Sequence, residues 1–201
     1  MSSEATPARV TFISHAATVA VRRAAFPLDE PLVEGEVEKI AGIGWSIPRV
    51  QYILSGPELR TKQTAEGLGL KATVAMELVD VDYGVWRGKG IEEIQESDPQ
   101  GLAAWLTDLE ATPHGGDSFA QLVERIGHWM ESRTKAGHTL AVTHPAVIRA
   151  AILFVLQGPA QSFWRIDVAP LSRTDLRYDR GRWTIRSMGC ALCHSGKILS
   201  S

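Results

Sequence analysis

Two histidines and one arginine follow apolar runs of the sequence, and together their side chains could bind an anion. His15 and His144 each come directly after an apolar run. Arg60 lies a few residues after another apolar run, which is located between them in the sequence. A neutral imidazole can act as a nucleophile, and a guanidinium can donate paired hydrogen bonds to phosphate oxygens. These residue types therefore favour phosphate as the ligand, provided that the fold brings them together.

The elements that must position these side chains are predicted as alternating strands and helices. The apolar runs at 9–14, 50–54 and 139–143 are typical of short buried strands. Helices are predicted after the second and third runs, from Pro57 to about Leu68 and over 146–156. Ligands of parallel α/β sheets bind at the carboxyl ends of the strands, near helix N-termini. The three side chains are therefore expected to meet at that edge.

The remaining segments complete an α/β chain. Further helices are predicted at 34–43, 91–97, 100–110 and 118–135, the last with Ser118 and Gln121 spaced as a capping box. Further strands are predicted at 72–78, 165–168, 171–178 and 182–188, with a turn at 179–181. We see no internal repeat or linker. The pattern predicts one domain over residues 1–201, a three-layer α/β/α sandwich whose mainly parallel sheet has a C-terminal antiparallel edge, with flexible tails at 1–8 and 190–201.

The composition excludes several classes of function. The 21 Lys and Arg residues nearly balance 23 Asp and Glu residues, giving a net charge of −2, so neither nucleic acid nor an anionic membrane is an expected partner. No apolar run approaches the roughly 18 residues of a membrane span. The N-terminal residues 1–9 lack the pattern of a signal peptide, so a cytoplasmic location is expected.

The C-terminal motif Cys190-Ala-Leu-Cys193-His194 has the spacing of a c-type haem attachment site. Haem is not expected, because the sequence shows no export signal. Zinc is the alternative, but the motif supplies three crowded ligands with no evident fourth. We therefore expect neither a metal nor a cofactor, and the two cysteines are assigned to a tail.

Five segments resemble, in order, the motifs of the histidine phosphatase superfamily in its phosphoglycerate-mutase-like branch. They are Ser14–Thr18, Ser55–Ala65, Asp80–Gly88, Gly115–Phe119 and Val142–Ala150. The second, which reads Ser-x-x-x-Leu-Arg-x-x-Gln-Thr-Ala, is the most specific. The resemblance covers nearly the whole chain and implies phosphoryl transfer without a metal.

The resemblance also implies a role for each candidate catalytic residue. His15 would attack phosphorus to form a phosphohistidine, which water would then hydrolyse. Arg60 and His144 would hold the phosphoryl oxygens as charge spreads onto them. Asp80 takes the position where the family commonly has a glutamate that protonates the leaving oxygen.

The assignment of Asp80 as the acid depends on its surroundings. The ordinary pKa of an aspartic acid side chain is about 3.9, so apolar or anionic neighbours are needed to keep it protonated near pH 7. Trp86 in the same loop could contribute to such surroundings. Either Asp80 or Asp82 could instead be a carboxylate that caps the loop.

Two motifs depart from the family pattern. The first normally reads Arg-His-Gly, but here Ser14 replaces the arginine that binds phosphate and Ala16 replaces the glycine. Losing a charge-assisted hydrogen bond costs about 1.5 to 3 kcal/mol, or about one to two orders of magnitude in rate. Arg22 or Arg23 could compensate, and residue 23 lies where the family often has a substrate-contacting arginine. Pro145 replaces a glycine whose backbone N–H could reach phosphate. Ser14, Arg23 and Arg60 are therefore the predicted phosphate-binding residues.

Two functions remain open at this point. One is hydrolysis of small phosphomonoesters, which the joint presence of His15, Arg60, Asp80 and His144 favours. The other is a catalytically weak or inactive member that binds phosphorylated ligands or a protein partner. Mutases of this group are usually longer than 201 residues, so hydrolysis is favoured over mutase chemistry. The identity of the substrate stays open, and the candidates include α-ribazole phosphate and the esters hydrolysed by broad-specificity phosphatases. The oligomeric state stays open as well.

Overall fold

The computed structural model describes residues 7–43, 45, 49–135 and 137–192. The strands are β1 Ala8–Ser14, β2 Tyr52–Ser55, β3 Thr73–Val74, β4 Gly137–Thr143, β5 Ser172–Asp179 and β6 Arg182–Ala191. The α-helices are α1 Val19–Arg22, α2 Glu36–Gly42, α3 Leu59–Gly67, α4 Ile91–Ser97, α5 Pro99–Thr107, α6 Phe119–Glu131 and α7 Pro145–Leu156. Short 3₁₀ helices span Met76–Leu78, Gly84–Trp86 and Ala160–Arg165.

In the described ranges the strands form a single six-stranded sheet in the order β3-β2-β4-β1-β5-β6. Strand β4 pairs in parallel with both β1 and β2, and β2 pairs in parallel with β3. Strand β5 runs antiparallel to β1 and forms a hairpin with β6. The mainly parallel sheet with a C-terminal antiparallel edge is therefore confirmed.

The sheet is covered on both faces, which explains why its central strands are apolar along their length. Val10 and Phe12 of β1 belong to the larger core cluster, which also contains buried side chains of α6 and α7. Ile13 points to the opposite face and belongs to a second cluster with Ala65 of α3. This alternation is expected of successive residues in a strand. The structure thus has the three layers that the sequence predicts.

Helix α6 begins with the predicted capping box. The Ser118 hydroxyl accepts a hydrogen bond of 3.1 Å from the Gln121 backbone N–H, and the Gln121 side chain accepts one of 2.9 Å from the Ser118 N–H. Two donors of the first turn are thereby satisfied, so the helix has a defined start. Helix α7 starts at Pro145, where a missing N–H costs no helical hydrogen bond.

Two predicted strands are largely wrong. At 72–78 only Thr73 and Val74 pair with β2, and a 3₁₀ turn follows them. At 165–168 no strand forms, because Arg165 ends a 3₁₀ helix and Ile166 and Val168 are buried in the larger core cluster. The alternating apolar pattern in this second segment reflects side-chain packing and not strand pairing.

The predicted tails are shorter in the structure. Ala8 is already part of β1, and β6 extends through residues 190 and 191. Cys193 and His194 of the C-terminal motif lie outside the described residues. Within the described part of the chain, no group of three His, Cys, Asp or Glu side chains is arranged to hold a metal ion. None of the helices described is both long enough and apolar enough to cross a membrane.

Candidate active site

The parallel pairing of the central strands brings the predicted site residues to one edge of the sheet. The backbone N–H of His15 donates a 2.9 Å hydrogen bond to the Thr143 carbonyl, and the N–H of Gly56 donates one of 2.9 Å to the Val142 carbonyl. These bonds continue the ladder just past the strand ends. The segments that follow β1, β2 and β4 therefore begin close together at this edge of the sheet.

The two histidines predicted to meet do so. The rings of His15 and His144 have centroids 5.4 Å apart and lie at 64° to each other. Both side chains are buried. Although the two residues are far apart in sequence, the parallel register of β1 and β4 makes their rings neighbours.

The ring of His15 is held in the form that a nucleophile requires. Its Nδ1 lies 2.7 Å from the Ala16 carbonyl oxygen. Because a carbonyl can only accept, Nδ1 carries the proton, and the Nε2 lone pair of the neutral ring is free. Burial, followed by the charges of His144 and Arg60, lowers the pKa of His15 from 6.5 to about 3. The ring is therefore neutral at pH 7.

Arg60 reaches the same region but already has an anionic partner. Its Nη2 donates a 2.8 Å hydrogen bond to Oδ2 of Asp80, and its Nη1 donates one of 2.8 Å to the Leu28 carbonyl. The same Oδ2 lies 3.4 Å from Nδ1 of His144. Arg60 and Asp80 are both buried. A carboxylate thus lies where the cationic groups of the site converge.

Asp80 does not have the surroundings that the sequence analysis required of an acid. Burial by itself raises the pKa of the carboxyl, but His144, Arg60 and a 2.9 Å hydrogen bond from the Val81 N–H together lower it below the ordinary value. Asp80 is therefore ionised at neutral pH in the unliganded protein. Trp86 is buried against other aromatic rings, and its apolar surface does not reverse this balance.

The neighbouring Asp82 has the loop-capping role considered for either aspartate. Its side chain is exposed, and Oδ1 accepts a 2.9 Å hydrogen bond from the Gly84 N–H. Asp80, in contrast, is buried next to Arg60 and His144. Of the two carboxylates, Asp80 is the one that contacts Arg60 and His144 directly.

Glu58 is a site residue that the sequence analysis missed. Its Oε2 accepts a 2.7 Å hydrogen bond from Nε2 of His144, and its Oε1 accepts one of 2.9 Å from the Asp80 backbone N–H. Burial raises the pKa of Glu58, but the hydrogen bond from His144 and the charge of that ring bring it below the ordinary value. The available signal was its position, two residues before Arg60 within the most specific motif.

The close approach of these groups explains a glycine at position 56. A Cβ atom added there would lie 3.0 Å from His144 Nε2 and 3.0 Å from Glu58 Oε2. Such distances are shorter than the usual contact between carbon and polar atoms. Gly56 therefore leaves the space in which the hydrogen bond between Glu58 and His144 forms.

The polar residues of helix α3 fix the loops around His15. Thr64 Oγ1 accepts a 3.0 Å hydrogen bond from the Ala16 N–H, and Gln63 Oε1 accepts one of 2.8 Å from the Leu32 N–H. Thr61 donates a 2.8 Å hydrogen bond to the Gly56 carbonyl. The Gln-Thr-Ala part of the motif is thus structural support for the segment that carries His15.

The structure does not bring a second arginine to the position left by Ser14. Ser14 is buried, and its hydroxyl has no hydrogen-bond partner among the described residues. Arg22 is exposed, and its Nη2 lies 3.3 Å from Oε1 of Glu36. Arg23 is also exposed and lines neither of the two cavities at the site. A contact between Arg23 and a bound phosphate stays a prediction.

Two cavities adjoin the candidate site, and Asp80 lines both. One, of about 170 Å³, is lined by Glu58, Arg60 and other charged side chains. The other, of about 220 Å³, is lined by His15, Pro145, Arg149 and several aromatic residues. The second cavity gives a small molecule a place beside the imidazole of His15.

Comparisons with a family profile, with related sequences and with solved structures identify proteins that are similar to this chain. Residues 10–191 match the sequence profile of the histidine phosphatase superfamily (branch 1). A bifunctional protein of Mycobacterium tuberculosis is 30% identical over 140 residues, which cover 65% of this chain and only 38% of that protein. Phosphoserine phosphatase 1 of Hydrogenobacter thermophilus is 26% identical over 161 residues, covering 74% of each chain. The crystal structure of a putative α-ribazole-5′-P phosphatase from Escherichia coli has a TM-score of 0.81 at 19% identity, covering 94% of this chain and 99% of that one.

Proposed function

Because the chain belongs to the histidine phosphatase superfamily, we propose that it is a metal-independent phosphatase that hydrolyses small phosphomonoesters through a phosphohistidine on His15. The observation that carries this proposal is the state of the His15 ring. It is buried and neutral, its Nδ1 is bonded to a carbonyl, and its Nε2 is free beside His144. This is the form of imidazole that can attack phosphorus.

In the first proposed step, Nε2 of His15 forms a bond to phosphorus while the bond from phosphorus to the ester oxygen breaks. Asp80 gives its proton to the departing oxygen. In the second step, water attacks phosphorus, Asp80 accepts a proton from that water, and the bond to Nε2 breaks. The His15 ring regains its free Nε2, and Asp80 is again protonated. When inorganic phosphate leaves, Asp80 releases the proton that it took up on substrate binding and returns to its ionised state.

The other polar residues would stabilise the transferring phosphoryl group. Arg60 carries donors for its oxygens, and His144 would donate to them from Nδ1, because its Nε2 already donates to Glu58. Glu58 is a positioning residue, since its 2.7 Å hydrogen bond with Nε2 of His144 fixes the orientation of that ring. Arg23 is retained as a candidate phosphate contact that would have to move toward the ligand.

The ionised state of Asp80 can be reconciled with the acid role through the substrate itself. A phosphate dianion bound next to the carboxylate disfavours a second negative charge and so raises the pKa of Asp80. Binding also requires that Arg60 be shared between Asp80 and the phosphate. Proton uptake by Asp80 on substrate binding would therefore both free Arg60 and supply the acid.

Binding without turnover is the second candidate function. Two observations favour it: Ser14 stands where the family has an arginine, and Arg60 is already paired with Asp80 at 2.8 Å. Both reduce the positive charge available to the transition state. A protein of this kind would bind phosphorylated small molecules or a protein partner with slow hydrolysis or none.

Hydrolysis of 4-nitrophenyl phosphate in the presence of a chelator tests the proposed function. We expect turnover in the wild type and its loss in His15→Ala. His128→Ala is the matched control, because His128 is exposed on α6 and its loss should leave the rate unchanged. Unchanged turnover in His15→Ala would remove His15 from the mechanism. Tight binding with no hydrolysis across a panel of phosphate esters would establish the second candidate.

A further inference from the structure

The cavity beside His15 has an aromatic wall. Its lining includes Phe26, Phe119, Trp105 and Trp164. The ring centroids of Trp105 and Trp164 are 4.5 Å apart, and those of Phe26 and Trp105 are 5.3 Å apart. Such a wall gives little hydrogen bonding to a sugar or another hydroxyl-rich group, whose burial would then cost free energy. A planar apolar ring can instead pack against these faces.

Arg149 adds a cation to this apolar cavity. It lies one helical turn after Pro145 on α7, and both residues line the cavity. Its Nε donates a 2.7 Å hydrogen bond to the Ile166 carbonyl, and its Cζ lies 5.8 Å from the Trp164 ring centroid. These contacts hold the guanidinium in one place.

No carboxylate in the described ranges lies within ion-pair distance of Arg149. Arg149 is half-buried, and burial lowers its pKa. Tyr83 and Asp167 act against this shift, but Asp167 is exposed to solvent and makes no ion pair with Arg149. Placing a cation in such a wall is unfavourable unless an anion pairs with it. Tyr83 also lines the cavity, and its neutral phenol does not replace a carboxylate. An anionic group of a ligand would pair with Arg149 inside the cavity, which the exposed Asp167 does not do.

We propose that the preferred substrate is a phosphomonoester whose small leaving group carries a planar apolar ring and an anionic substituent. The ring packs against the aromatic wall, and the anionic substituent pairs with Arg149. This inference rests on the proposed function, which places the phosphate next to His15. The cavity volume of about 220 Å³ is below the range typical of drug-sized ligands, which favours a single ring over a nucleotide.

A panel of esters with similar primary-alcohol leaving groups tests this preference. The panel contains 3- and 4-carboxybenzyl phosphate, their carbamoyl analogues, benzyl phosphate and glycerol 3-phosphate. We expect kcat/KM for at least one carboxybenzyl ester to exceed that of its neutral carbamoyl analogue by about 10- to 100-fold, the value of a charge-assisted hydrogen bond. We also expect benzyl phosphate to be hydrolysed more efficiently than glycerol 3-phosphate.

Substitution of Arg149 separates recognition from a structural role. Arg149→Gln should reduce the ratio of kcat/KM between the carboxylated and carbamoyl esters to near one. Arg165→Gln is the matched control, because Arg165 is exposed and does not line the cavity, so the ratio should be preserved. Equal rates for the two ester types in the wild type would overturn the proposal. So would an equal loss for both types in Arg149→Gln, which a purely structural role predicts.

Binding of non-hydrolysable phosphonates makes failure of this inference distinguishable from failure of the proposed function. Quenching of tryptophan fluorescence by the carboxybenzyl and carbamoylbenzyl phosphonates reports on the cavity even without turnover. Preferential binding of the carboxylated compound with no hydrolysis would support recognition of an anionic ring by Arg149 and reject the phosphatase. Hydrolysis of the whole panel with no preference in rate or binding would support the phosphatase and overturn the inference about Arg149.

Discussion

The Oδ2 atom of Asp80 accepts a 2.8 Å hydrogen bond from Nη2 of Arg60, so a carboxylate of the protein already neutralises a cation predicted to bind phosphate. Both groups are buried, and His144 lies 3.4 Å from the same oxygen. A phosphate arriving at this position meets an anion as well as its donors. We therefore expect Asp80 as well as Arg60 to control the affinity of the site for phosphate.

Replacing Asp80 with asparagine should strengthen the binding of inorganic phosphate by about tenfold, which corresponds to about 1.4 kcal/mol. The substitution keeps the side-chain size but removes the negative charge next to Arg60. Isothermal titration calorimetry measures the change, and Asp108→Asn is the control, because Asp108 is exposed and lines neither cavity at the site. Weaker or unchanged phosphate binding in Asp80→Asn would show that the carboxylate does not compete with the ligand. The same variant should hydrolyse alkyl esters more slowly, because it lacks the proposed acid.

The buried His15 ring predicts a loss of stability in acid. Its pKa is about 3 in the folded protein, against an ordinary value of 6.5 that applies in the unfolded chain. Between these pH values the unfolded chain therefore binds a proton that the folded protein does not. The free energy of unfolding should fall as the pH decreases through this window, by up to about 1.4 kcal/mol per pH unit from His15.

Urea denaturation of wild type and His15→Asn at several pH values checks this prediction. Between pH 6 and pH 4 the wild type should lose more stability per pH unit than the variant, whereas the two slopes should agree above pH 7.5. His114 and His138 also have lowered pKa values, but their contributions are common to both proteins. Parallel slopes throughout the acid range would mean that His15 is protonated in the folded state.

Removing the charge of Glu58 should lower kcat about tenfold through its effect on His144. Glu58→Gln retains the shape of the side chain but weakens the 2.7 Å hydrogen bond with Nε2 of that ring. Steady-state kinetics with separate kcat and KM values measures the effect, and Glu66→Gln on the exposed side of α3 is the control. A fall in melting temperature with normal kcat would assign Glu58 a structural role only.

Introducing an arginine at Ser14 should increase phosphate affinity or turnover by about tenfold. The Ser14 hydroxyl has no partner among the described residues, and the family has a guanidinium at this position. The added cation would also offset the charge of Asp80. Phosphate inhibition constants and kcat measure the outcome. If Ser14→Arg folds normally but binds phosphate more weakly, the pocket has adapted to the smaller side chain.

The meeting of His15, Arg60 and His144 could be predicted because it follows from strand order. Each residue comes just after a strand, and parallel strands of one sheet end at a common edge. The hairpin of β5 and β6 could be predicted as well, since alternating β-rich segments flank a turn containing Gly181. These features depend on local pattern and on general rules of topology.

The contacts of Glu58 and Asp80 could not be predicted in the same way. Both depend on side-chain distances between segments that are not adjacent in sequence, and both involve hydrogen bonds with the residues that carry the proposed chemistry. The pKa of Asp80 depends on a balance between burial and nearby donors that sequence does not quantify. The segment 165–168 was misread because its alternation of buried side chains occurs without a neighbouring strand.

The contact that orients His15 is made by a main-chain carbonyl, that of Ala16. Every amino acid at position 16 carries this oxygen, so point mutation cannot delete the acceptor itself. The neighbouring Ala16 N–H is in turn anchored by Thr64. The position of the proton on the imidazole therefore does not depend on which side chain residue 16 carries, so the pocket can be engineered by substitutions at neighbouring positions that leave this hydrogen bond in place.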